Sequence, residues 1–186
     1  TEFGEDNVRG RTGPLHIEPL RTRHVMSERF EAAASEVGLI YNADYNGTTQ
    51  DGVGPPQVTQ RKGMRWSAKR AYLSDRRNNL TTVTRAEVQR IVIEDNHAVG
   101  VIYRRGGRMV EVRAKHEVIL SAGALASPKL LMLSGIGSAA DLKEHCIYVV
   151  IDAPGVGANL IDHPNANMSW DVKPSPYNVE VRSWRA

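Results

Sequence analysis

The run from Leu80 to Ala114, LTTVTRAEVQRIVIEDNHAVGVIYRRGGRMVEVRA, leaves the backbone few choices. β-branched residues crowd it, and two pairs of turn residues, Asp95-Asn96 and Gly106-Gly107, interrupt them. Such pairs between β-branched stretches favour two-residue hairpin turns, so the run is predicted to be a three-stranded antiparallel meander. HEVIL (116–120) follows, with Val118, Ile119 and Leu120 consecutive. It is predicted to be a further strand, buried on both faces as in a parallel sheet.

The passage after that strand, SAGALASPKLLMLSGIG (121–137), is rich in small residues at both ends. Ser127 is placed to cap a helix, Pro128 to open it and Gly135 to stop it. SAADLKEH is expected to form a second short helix behind Ser138, IYVVID a returning strand, and APGVGANLIDHP a turn. Towards the amino terminus, residues 1–25 are irregular apart from a short strand in LHIEPL. SERFEAAASEVG is predicted to be a helix capped by Ser27, with Phe30, Ala33, Ala34 and Val37 on one face and Gly38 as its stop. The turn-rich stretch 41–66 reads as a covering loop with a strand candidate in PQVTQ, and SAKRAYLSD as a helix capped by Ser67. The last 20 or so residues hold two of the three tryptophans but no complete element.

Composition narrows the function classes. Of 186 residues, 41% are hydrophobic and 24% charged, which suits an ordinary globular chain. A net charge of +3 with dispersed basic residues and 6% aromatics gives no nucleic-acid platform. The single cysteine, Cys146, excludes an internal disulfide and fits a reducing compartment, so a cytoplasmic location is expected. It is expected to pack at a helix-to-strand junction and not to act as a nucleophile. There is no apolar run of transmembrane length. GIGSAA and GVGANL each lack the third glycine or the strand-to-helix setting of a dinucleotide loop, no nucleophile elbow occurs, and the histidines show no metal-ligand spacing. Asp162 and His163 are adjacent and expected to cap turn amides. No catalytic and no metal-binding residue is assigned.

GALASPKLLMLSGIG resembles the second signature of the glucose-methanol-choline (GMC) oxidoreductases, where a Gly, a Ser-Pro step, paired aliphatics and Ser-Gly-aliphatic-Gly recur at this spacing. HEVILSAG before it, APGVGANLIDHP after it, and the stretches 44–73 and 79–107 extend the likeness towards choline-dehydrogenase-like members, over roughly residues 10–165. The resemblance implies an α/β (α+β) architecture: a partial FAD-binding, Rossmann-like domain with a β-meander, plus part of a substrate-binding domain. It divides the chain into a substrate-side or cap region (1–78), part of the FAD-binding domain (79–164) and the start of the substrate-binding domain (165–186). It implies FAD as cofactor, with Val88 meeting the adenine through its backbone, Ser121, Ala122 and Gly123 letting backbone pass close to the cofactor, and Ser127 beginning the helix behind that surface. The family's first glycine motif and its catalytic histidine have no match here. The chain is therefore expected to be the central third of an enzyme that oxidises a small primary alcohol to an aldehyde, inactive alone and poor at holding FAD. A non-catalytic module on the same scaffold, or a hydroxynitrile-lyase-type member, are the alternatives. A homodimer is expected to cover sheet edges left unpaired.

Overall fold

A computed structural model describes residue 4 and residues 7–74 and 78–169. The chain divides into two compact units, one holding the described residues through Leu80 and the other Thr81–Asn167.

The first unit is built from short pieces tied by side chains. Strand β1 (Glu18–Pro19) pairs antiparallel with β2 (Gln57–Val58), and β3 (Gln60–Arg61) with β4 (Met64–Arg65). Between the first two lies helix α1 (Val25–Glu36), and helix α2 (Ala68–Leu73) follows the last. α1 begins two residues before Ser27 because the imidazole Nδ1 of His24 accepts the Met26 amide at 3.1 Å and so takes the cap. Gly38 (φ +92°) stops it, as predicted. Ser67 caps α2, accepting from the Arg70 amide. Asn42 staples the intervening loop, its amide nitrogen donating to the carbonyls of Thr49 (2.8 Å) and Asp51 (3.1 Å). Asp44 receives Gln57 Nε2 at 2.6 Å and is ion-paired with Arg9. Arg61 and Arg70 stand 5.0 and 5.8 Å from the Trp66 ring, whose indole nitrogen donates to Pro14 at 2.8 Å.

In the second unit both hairpins form at their turn residues. Strands β5 (Glu87–Glu94), β6 (His97–Arg105) and β7 (Arg108–Arg113) make one antiparallel sheet in that order, with Asp95, Asn96, Gly106 and Gly107 all at positive φ in the turns. β5 starts later than the apolar pattern suggested, and its register shifts after Val88 and after Val92. Helix α3 (Gly123–Leu133) packs against β5. Strand β8 (Ile136–Gly137), helix α4 (Ala139–Glu144) and strand β9 (Ile151–Asp152) then make a small crossover in which β8 and β9 run parallel. Leu142, 1% exposed, is its core, and Ile91 and Val92 are the buried pair of the sheet.

Four expectations are corrected. HEVIL is irregular, with Ile119 77% exposed, because a parallel strand needs neighbours and none of the described strands pairs with it. IYVVID contributes only Ile151–Asp152 to a strand. α3 begins at Gly123 instead of after Ser127: the left-handed φ of Gly123 (+87°) turns the chain into the helix, and Ser127 Oγ accepts the Ala122 amide at 3.2 Å, closing the first turn. Pro128 therefore lies inside the helix. Cys146 follows α4 in a left-handed conformation (φ +56°) and is exposed instead of packed at its junction. Residues 75–77 and the segment from Trp170 onward, including most of the expected start of a substrate-binding domain, lie outside the described residues.

Candidate functional site

The five residues expected to meet a cofactor fall on two elements of the second unit. Val88 is half-buried on β5, opposite Tyr103, immediately before the first register shift. Its neighbour Glu87 holds Arg104 at 2.5 Å. That bond, with the charges of Arg104 and of Lys129 on α3, keeps the Glu87 carboxyl below the usual carboxylate range. Ser121 and Ala122 are exposed on the approach to α3, Gly123 is its first residue, and Ser127 sits in its second turn.

The backbone at the front of α3 is open. An added Cβ at Gly123 would touch nothing within 4 Å, and no side chain caps the amides of the first turn. A groove of about 520 Å³ runs along this end, lined by Ala122, Gly123, Leu125 and Ala126 on one side and by Leu160, Ile161 and Asp162 on the other. Val88, Ser121 and Ser127 do not line it. Asp162 Oδ1 accepts the amide of its neighbour His163 at 2.8 Å, in a stretch that forms no turn. A larger groove, about 940 Å³, continues along α3 past Pro128, Lys129 and Met132 towards His145 and Ile147. The largely apolar walls and the missing Cβ bulk at Gly123 leave room for a flat ring system.

The glycines of the SGIG segment have a different job. An added Cβ at Gly135 would lie 2.5 Å from the Tyr148 carbonyl, in the segment that returns here and bonds the Gly135 oxygen through the Val150 amide at 2.8 Å. Gly137 faces Met132 and Leu142. Gly135 is small so that the returning chain can close on β8, and Gly137 so that Met132 and Leu142 can pack over it. Sequence reasoning passed over Ser134, the buried hydroxyl just before them, and Asp152, whose Oδ1 accepts the Ala139 amide at 2.9 Å and so caps α4 in place of Ser138. The signal for Ser134 was its place between the end of a helix and two closely spaced glycines; Asp152 carried none.

The family model described as GMC oxidoreductase matches residues 4–165. The chain belongs to the GMC oxidoreductase family. Among curated members, this GMC chain is 45% identical over 165 residues to alcohol dehydrogenase [acceptor] of Pseudomonas putida, spanning 87% of the chain and 30% of that protein. It is 47% identical over 162 residues to oxygen-dependent choline dehydrogenase of Rhizobium meliloti (strain 1021), spanning 86% of the chain and 29% of the relative. The GMC fold is shared with pyridoxine 4-oxidase from Mesorbium loti (TM-score 0.75, 34% identity, 80% of this chain and 30% of that one). It is also shared with an FAD-dependent oxidoreductase from Chaetomium thermophilum (TM-score 0.75, 32% identity, 82% and 27%). The chain thus spans about 30% of the length of the curated relatives it matches. No helix among the described residues is long and apolar enough to cross a membrane.

Proposed function

We propose that this chain is the cofactor-facing section of an FAD-dependent oxidoreductase that converts a small primary alcohol, choline-like or related, to an aldehyde. The observation that carries this is the 47% identity to a choline dehydrogenase, sustained over 162 residues. Residues 79–164 belong to its FAD-binding domain, 1–78 to the substrate side and 165–186 to the start of the substrate-binding domain. Val88 takes the adenine side of the cofactor through its backbone, Ser121, Ala122 and Gly123 leave room for close approach, and Ser127 holds the turn into α3 closed. FAD, when bound, supplies the hydride acceptor for the carbinol carbon. The residues here position the cofactor, and none of them is assigned the substrate's proton. The free thiol of Cys146 is in keeping with a cytoplasmic location, and the apolar surface of the chain with a homodimer.

The test is a graft. The matching segment of the Rhizobium choline dehydrogenase is replaced by this chain's, and the purified chimera is examined for flavin absorbance and for its bleaching by choline without oxygen. A yellow chimera that bleaches is expected. A chimera that folds, by circular dichroism, yet takes up no flavin overturns the proposal, and one that binds flavin without oxidising any alcohol favours the non-catalytic alternative.

A further inference from the structure

Ser134 is the one buried polar residue among those described, at 8% exposure. Its hydroxyl works in both directions: it donates to the Leu130 carbonyl at 2.6 Å, at the carboxyl end of α3, and accepts the Ile91 amide of β5 at 2.8 Å. β5 is an edge strand with β6 on one side only, so the Ile91 amide faces away from the sheet and needs a partner from elsewhere. Among the described residues this is the one hydrogen bond between the meander and the α3 segment. A hydroxyl already committed to Leu130 has its proton fixed there, which leaves its lone pairs aimed at Ile91. The junction is therefore set in orientation as well as in distance.

The two elements so joined are those that carry Val88 on one side and Ser121, Ala122, Gly123 and Ser127 on the other. We infer that Ser134 is a positioning residue for the cofactor: its paired hydrogen bonds fix α3 against β5 and thereby set the separation of the Val88 backbone from the open front of α3. This rests on the cofactor placement proposed above. The register of β5 shifts on either side of Ile91, after Val88 and after Val92, so the Ser134 bond holds the short regular stretch between the two shifts. Alanine keeps the small volume and strands a buried amide; threonine keeps the hydroxyl.

The experiment uses the flavin-binding chimera with Ser134→Ala and Ser134→Thr. It reads the FAD dissociation constant by fluorescence quenching, the melting temperature of the cofactor-free protein, and exchange of the Ile91 amide. Expected are about tenfold weaker FAD binding and faster Ile91 exchange in S134A, with both largely restored in S134T. An S134A protein that loses melting temperature but binds FAD as tightly as its parent shows a structural role alone and overturns the inference. Unchanged Ile91 exchange overturns it as well. Failure of the unsubstituted chimera to take up FAD is a separate result, which removes the cofactor placement itself.

Discussion

Gly123 and Gly135 have nearly the same backbone, with φ of +87° and +85°, and opposite surroundings. At Gly123 an alanine meets open space, so Gly123→Ala costs only the left-handed conformation, about 1–2 kcal/mol. At Gly135 the same methyl runs into the Tyr148 carbonyl and Val150, so Gly135→Ala adds displacement of β9 and is expected to cost roughly twice as much or more. Urea denaturation of the two variants measures the difference, and equal losses would contradict the packing described at SGIG. The comparison also separates two uses of small residues that look alike on paper. The sequence reading gave close approach by a cofactor to 121–123 and a helix stop to Gly135; the structure shows open backbone at Gly123 and, at Gly135, a returning segment of the chain closing on it. Identity alone could not divide them, because what matters is which backbone returns to the spot, and Tyr148–Val150 lies in a stretch that looked like an ordinary strand.

At the level of elements, hairpins were legible and long-range pairings were not. Asp95-Asn96 and Gly106-Gly107 dictate their turns through backbone sterics that act within four residues, so β5, β6 and β7 could be placed from the sequence. HEVIL depended on strands beside it and α3 on a tie between Ala122 and Ser127, neither of which a local pattern encodes. The sheet also carries a checkable electrostatic feature. Arg113 grips Glu94 with two bonds of 2.6 Å and reaches Glu111 at 3.3 Å, while Arg104 holds Glu87. Hydrogen bonding to the arginines lowers both Glu94 and Glu87 from 4.5 and raises Arg113. A carboxylate with a depressed folded-state value stabilises above its unfolded value and loses that contribution as pH falls through the folded one. Stability should therefore decline as pH drops below about 4.5, and Glu94→Gln should flatten that decline. All these groups are exposed, so the effect is small and is expected to fade in 1 M salt; a slope unaffected by either change would assign acid sensitivity elsewhere.

For the whole molecule, the surface matters most. Ile161 is 88% exposed, Tyr148 84% and Val37 80%, and Phe30 and Ile40 lie open on or just after α1. Few side chains are buried in return, which is a high ratio of apolar surface to core for a chain of this length. The chain by itself is expected to bind 1-anilinonaphthalene-8-sulfonate and to scatter light as a species larger than 20.6 kDa. A clean monomer with no dye binding would show that this surface is tolerated in water and would count against a dimer.

The crossover β8–α4–β9 has its own arithmetic in time. Its contacts join residues close along the chain, the Gly135 oxygen receiving Val150 and Ile151 across one short helix. The Ser134–Ile91 bond instead spans 43 residues. Ring closure grows costlier with the length of chain enclosed, and rates follow the separation of the partners. The crossover is thus suited to assemble early, carrying Ser134 with it as a finished edge. The meander, itself local, arrives separately, and the clasp between them shuts last. The geometry around the proposed cofactor surface is then expected to be set only after both of the parts it joins have formed.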